Sequence, residues 1–200
     1  CNSLTQIIIP SSVKIIGNSA FQDCSSLEEI TIPTTITSLG NSTFSGCTSL
    51  LQISIPTSIK EIGTSTFSGC RSLKQITIPS TIKSIGNSAF AQCLSLTEVE
   101  IPSSVERIGD FVFSGCTSLT KVKIECSITS QKWNEFCSNL SKIMPFPHVS
   151  LTIGSSAFLK CYSLISIEIP PPVQKINENT FFNCSSLTSI VLPSTVKSIE

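Results

Sequence analysis

The chain has 200 residues, 13 lysines and arginines against 13 aspartates and glutamates, and only 13% charged residues. A formal charge of zero leaves no overall electrostatic footprint for nucleic acid or an anionic membrane. No membrane span is read here, because no run of roughly 18 apolar residues occurs, and no charged-then-apolar leader opens the chain.

Cys1, Cys24, Cys47, Cys70, Cys93 and Cys116 recur every 23 residues, and the register returns at Cys161 and Cys184. A fixed period of this length is the signature of a stacked solenoid, so one copy stands for all. Nine copies align on leucine three residues after the cysteine position, from Leu4 and Leu27 to Leu140, Leu164 and Leu187.

Within a copy the elements follow in order. Leu27-Glu-Glu-Ile30-Thr-Ile32 ends in period-two alternation rich in β-branched residues, which predicts a short strand with Ile30 and Ile32 inward. Pro33, lacking an N–H, ends that strand. An aliphatic anchor follows (Val13, Ile36, Ile59, Ile82, Val105), then a glycine expected to take positive φ, then Asn or Ser suited to capping a short helical turn. The copy closes on phenylalanine three residues before the next cysteine, as at Phe21, Phe44, Phe67, Phe90, Phe113, Phe158 and Phe181. These rings are expected to form a spine. Seven buried apolar side chains yield on the order of 10–20 kcal/mol, against about 1–2 kcal/mol per residue to order the backbone. A copy alone is unstable, and stacking is required.

The unit Leu-x-x-Ile-x-Ile-Pro-x-x-Val/Ile-x-x-Ile-Gly-x-x-x-Phe-x-x-Cys resembles the BspA-like leucine-rich repeats of bacterial and parasitic-protist surface proteins, over essentially the whole chain. The expected fold is α/β: a leucine-rich-repeat solenoid of nine repeats of about 23 residues. One continuous parallel concave sheet is expected, with short helical turns and loops on the convex side. Residues 1–200 read as a single domain, a fragment of a longer solenoid because both ends fall inside a repeat, with irregular repeats at 117–160.

Nine of the ten cysteines hold one repeat position. Strand spacing exceeds the Cβ separation a disulfide needs, so they read as a ladder of free buried thiols. Cys126 lies off the ladder and is expected to be exposed. His148 is the only histidine, and Cys126, Cys137 and His148 lack the Cys-x₂-Cys spacing of structural zinc sites. No metal, cofactor or catalytic residue is expected.

The 23-residue mould breaks once. From Cys116 to Cys137 is 21 residues and from Cys137 to Cys161 is 24. Glu125 and Phe146 stand where other copies have proline, and Trp133, Phe136, Met144, Phe146 and His148 crowd together. Trp133 and Phe136 read as core, replacing the spine ring that Asn134 displaces. Met144, Phe146 and His148 read as exposed, since interrupted solenoids present binding loops.

Outward strand columns place Glu98 beside Lys121 and Glu100 beside Lys123. Two readings remain open for these four: register support on a solvated sheet, or a charged ligand site. With Lys142, Met144, Phe146 and His148 they form the candidate ligand-binding set. A second column after the proline carries Lys14, Lys60, Lys83 and Lys197. It reads either as a contact for an acidic polysaccharide or acidic protein, or as solubilising charge. Asn41-Ser-Thr, Asn139-Leu-Ser and Asn183-Cys-Ser are glycosylation sequons.

What the resemblance implies is a non-enzymatic adhesion module at the cell surface or secreted. It would recognise a host, matrix or cell-surface protein through the concave sheet and the irregular repeat, with a glycan as second partner class, and neither nucleic acid nor a membrane. The alternatives are a structural spacer or stalk, and an intracellular scaffold without its own ligand.

Overall fold

The computed structural model describes residues 1–126 and 151–200. They form a parallel β-solenoid of about seven turns. Each turn carries a longer strand and then a two-residue one. In the first half these are β1 (Gln6–Ile8) and β2 (Ile15–Ile16), β3 (Glu29–Thr31) and β4 (Ser38–Leu39), β5 (Gln52–Ser54) and β6 (Glu61–Ile62), β7 (Gln75–Thr77) and β8 (Ser84–Ile85). The second half continues with β9 (Glu98–Ile101) and β10 (Arg107–Ile108), β11 (Lys121–Ile124) and β12 (Thr152–Ile153), β13 (Ser166–Glu168) and β14 (Lys175–Ile176), β15 (Ser189–Val191) and β16 (Ser198–Ile199).

The odd-numbered strands line the concave face as two four-stranded parallel sheets, β1-β3-β5-β7 and β9-β11-β13-β15, rather than one continuous sheet. Between them Thr97 N–H still donates to Lys74 O at 3.3 Å. The even-numbered strands line a second side as three shorter parallel sheets, β2-β4, β6-β8-β10-β12 and β14-β16, where the sequence suggested only an anchor and a bend. Proline ends each concave strand by opening a turn, as in Ile36 N–H to Pro33 O at 3.0 Å. Where Glu125 replaces that proline, the regained N–H donates to Ile101 O at 2.8 Å and the ladder runs one residue further.

The convex side corrects the α/β expectation: among the described residues there is no helix. Two residues four apart in each turn take left-handed φ, with Ser19 at 55° and Asp23 at 56°, then Ser42 at 55° and Gly46 at 74°. Between and at these positions every second N–H points along the solenoid axis. Ser19, Phe21 and Asp23 donate to Asn41, Thr43 and Ser45 one rung on, at 2.8, 2.9 and 2.7 Å. An α-helix would need those donors inside its own segment. The positive φ also falls on Ser19 and its equivalents, not on the glycine two residues earlier. That glycine serves close approach: a Cβ on Gly40 would lie 2.3 Å from Asn18 N.

Inside, the phenylalanines stack from Phe21 to Phe181 with centroids 5.4–5.7 Å apart and planes within 4–10°. Among the described residues the cysteines are free thiols, as the spacing required. Cys47, Cys70, Cys93, Cys116, Cys161 and Cys184 each donate the S–H to a spine carbonyl on the preceding turn, for example Cys70 Sγ to Phe44 O at 3.2 Å. Thr43 is buried and its hydroxyl donates to Gly40 O at 2.6 Å, so the Asn41 sequon is part of the stack in the folded chain.

The expected nine repeats become eight concave strands among the described residues. Lys121 pairs directly with Ser166 and Arg107 with Thr152. Phe113 stacks on Phe158 at 5.6 Å, and Cys161 Sγ donates to Phe113 O at 3.2 Å. No rung fits between them. Glu125 and Leu151 therefore belong to the same turn, and the ninth copy expected from the sequence does not stack between the turns of Phe113 and Phe158; residues 127–150 lie outside the described residues.

Two outcomes follow. Replacing Glu125 through Ser150 by Pro-Ser-Ser-Val, the sequence of residues 102–105, should restore a 23-residue period and leave a cooperatively folding solenoid, more stable by on the order of 1–2 kcal/mol from loop closure. Urea denaturation followed by far-UV circular dichroism measures it, and loss of the cooperative transition would make the replaced segment integral to the stack. Burial raises the thiols of Cys47 and Cys116 from an ordinary 9.0 to about 12, and burial likewise raises Cys93. The folded state thus holds its protons more tightly than the unfolded chain, so stability is full below about pH 9 and falls as pH rises towards 12. At pH 8, a thiol reagent should modify Cys1 and, more slowly, Cys126, and leave Cys47, Cys70, Cys93, Cys116 and Cys161 intact until urea is added.

Candidate functional site

β9, β11 and β13 lie side by side with their buried residues, Val99, Val122 and Ile167, aligned beneath them. Strand alternation then forces Glu98, Glu100, Lys121, Lys123, Ser166 and Glu168 outward onto the concave face. Register brings Lys121 opposite Glu98 and Lys123 opposite Glu100.

The two pairs are not equivalent. Lys123 Nζ bonds Glu100 Oε1 and reaches Glu125 Oε1 at 3.4 Å, while Lys121 and Glu98 form no ion pair. The Lys123 hydrogen bond, helped by its charge, holds the Glu100 carboxyl below the ordinary carboxylate range. Glu100 and then Glu125 raise the Lys123 ammonium in return. Both groups stand in solvent, so the network orders side chains more than it stabilises the fold.

Two open troughs share Lys121 and Lys123 as their common wall. One, of about 390 Å³, lies towards Gln75 and Thr77. The other, of about 480 Å³, is floored by Val122, Ile124 and Ile167 and closed by Pro170 and Pro171 on one side and Glu125 and Cys126 on the other. Cys126 is half-buried in that wall rather than exposed. Glu125, Glu168 and the diproline were missed as site residues by the sequence reading, although the loss of the corner proline at Glu125 was the available signal. Lys142, Met144, Phe146 and His148 lie outside the described residues, as do Trp133 and Phe136.

Chemically the face offers charges, hydroxyls and amides on a rigid lattice. Among the described residues, no three His, Cys, Asp or Glu side chains converge as metal ligands. The buried thiols are held protonated and are poor nucleophiles. No helix of the described residues is long and apolar enough to cross a membrane.

With Lys123→Met the Glu100 carboxyl should titrate at higher pH, seen in its ¹³C chemical shift, while the unfolding midpoint stays put. An unchanged Glu100 titration would show that the ion pair does not persist in solution.

The fold and sequence can now be set beside known proteins. No curated protein matches the chain by sequence. Among solved structures, a T. pallidum leucine-rich repeat protein superimposes with a TM-score of 0.63 at 25% identity, covering 98% of this chain and 72% of that one. A Bacteroides ovatus leucine-rich repeat protein gives 0.53 at 26% identity, over 98% and 56%. The pneumococcal vaccine antigen PcpA gives 0.53 at 26%, over 96% and 52%, so this chain spans about half the length of those last two. The BspA type leucine rich repeat region matches at residues 1–99 and 83–200, and with the Leu, Pro, Gly, Phe and Cys columns each assigned a place in the stack, the chain belongs to the BspA-type leucine-rich repeat family.

Proposed function

We propose that this solenoid is a non-enzymatic recognition module of a cell-surface or secreted protein, binding an extracellular or host protein through its concave face. The observation that carries the reading is the concave lattice itself: a long polar surface, interrupted at β9–β13 by an ordered charged network between two open troughs. The repeat family and its likeness to a bacterial surface antigen support a protein-interaction module, and no catalytic relative is named among them. Affinity would come from many small contacts across several rungs, with a few central residues dominating. Glu98, Glu100, Lys121 and Lys123 are the residues we assign to that centre, with Lys142, Met144, Phe146 and His148 beside them in sequence.

The test is biosensor binding of the chain to a panel of matrix proteins and mucins, beside a variant with Glu98→Lys, Glu100→Lys, Lys121→Glu and Lys123→Glu. The quadruple exchange preserves net charge and reverses the Glu100–Lys123 pair, while setting a carboxylate against Glu125. Saturable binding lost by at least about tenfold in the variant is the expected result, a change of roughly 1.4 kcal/mol. Binding by neither protein would favour the spacer reading, in which recognition belongs to other parts of the polypeptide.

A further inference from the structure

Six thiols occupy one equivalent place in successive turns. Cys47, Cys70, Cys93, Cys116 and Cys161 are buried, and Cys184 is half-buried. Each gives its S–H to the carbonyl of the spine phenylalanine one turn back, at 3.1–3.2 Å. That hydrogen bond needs the proton on sulfur, and burial keeps it there, with the thiols of Cys47 and Cys116 raised to about 12.

The same packing excludes oxidation within the fold. In-register neighbours stand one turn apart, an interval that the spine rings three residues earlier set at 5.4–5.7 Å. A disulfide needs its Cβ atoms about 3.5–4.5 Å apart. Closing that gap would pull two turns together and strip the spine carbonyls of their donors. A mixed disulfide with a small molecule has no room either, since five of the six residues are 0% exposed and overpacking a filled core is destabilising. The unfolded chain has neither restraint. Its cysteines from Cys24 to Cys116 recur every 23 residues, loops that close readily, and its thiols ionise at ordinary pH.

We propose that the thiol ladder makes this solenoid a redox-sensitive switch, folded only while the ladder is reduced and converted by a small-molecule disulfide into an unfolded, cross-linked chain in one cooperative step. A thiolate of an opened turn attacks the disulfide and expels one thiol, leaving a mixed disulfide. A second cysteine thiolate attacks that bond and expels the other. Two protein thiols and one small disulfide thus become one protein disulfide and two small thiols, with two electrons passing to the oxidant. The reaction spreads because a turn cannot stand alone. A turn held open withdraws its spine ring and axial peptides from both neighbours, and their thiols are then reached in turn. The switch is independent of any partner that the concave face takes.

The whole chain would be incubated at pH 8 with oxidised glutathione, its remaining thiols trapped with N-ethylmaleimide, and the modified cysteines per molecule counted by intact mass spectrometry beside far-UV circular dichroism. Two populations are expected, one with the ladder reduced and the fold native, the other extensively oxidised and unfolded. Their interconversion should quicken about tenfold for each molar of urea added, as opening of the stack requires. Chain oxidised in urea and diluted into buffer should stay unfolded until dithiothreitol restores the native spectrum. The triple variant Cys1→Ser, Cys126→Ser and Cys137→Ser keeps Cys24, Cys47, Cys70, Cys93, Cys116, Cys161 and Cys184 and should behave alike. Graded oxidation with the native spectrum retained, refolding with the disulfides intact, an oxidation rate indifferent to urea, or loss of the collapse in the triple variant would each overturn the proposal.

Discussion

The backbone hydrogen bonds of the convex side are the interaction on which the rest is built. In every turn but the last, three peptides lie parallel to the axis, and each donates to the rung ahead over 2.7–3.0 Å. This fixes the distance between turns where no sheet of the ordinary kind exists. The phenylalanine spine, the thiol ladder and the Asn18, Asn41 and Asn87 side chains that accept backbone N–H groups from the next rung all take their spacing from it. Polar groups then find partners inside the stack: thiols such as Cys70 donate to a carbonyl of the neighbouring turn, and the buried hydroxyls of Thr43, Thr66 and Thr180 to a carbonyl three residues back.

The same regularity explains why the stack closes across residues 127–150. A rung is recognised by its neighbour through the spine ring, the S–H donor and the axial peptides, and residues 151–161 offer all three to the turn of Phe113 through β12, Phe158 and Cys161. The corner after the concave strand contributes none of them. It is the one place where added chain costs only loop closure. Glu125 and Cys126, the last described residues before 127–150, line the trough that the charged network overlooks.

Much of the fold was legible because its marks are single-purpose. Leu27, Ile30, Phe44 and Cys47 each have one burial requirement, repeated at one interval, and their columns read directly into strands, core and stacking order. The outward pairs Glu98 with Lys121 and Glu100 with Lys123 followed from the same register, but not the difference between them, which depends on Glu125 bending back to Lys123. The convex turn was illegible for a physical reason. Serine favours caps in isolation, and here Ser19 and Ser42 take left-handed φ because the next rung accepts their N–H groups, an interaction no local propensity encodes. Cys137 and Leu140 imitate a ninth copy by spacing alone. The decisive signal was Asn134 in the spine slot, a polar residue where an unbroken stack of rings passes from Phe113 to Phe158.

Three files of axial peptides also give the molecule an electrical direction. Their N–H groups all face the C-terminal turns and their carbonyls the N-terminal ones, the reverse of an α-helix. Peptide dipoles of about 3.5 D therefore add along the whole solenoid instead of cancelling as in ordinary sheets. The convex wall is thus polarised, positive towards Phe181 and negative towards Phe21, by its backbone alone, whatever side chains decorate it.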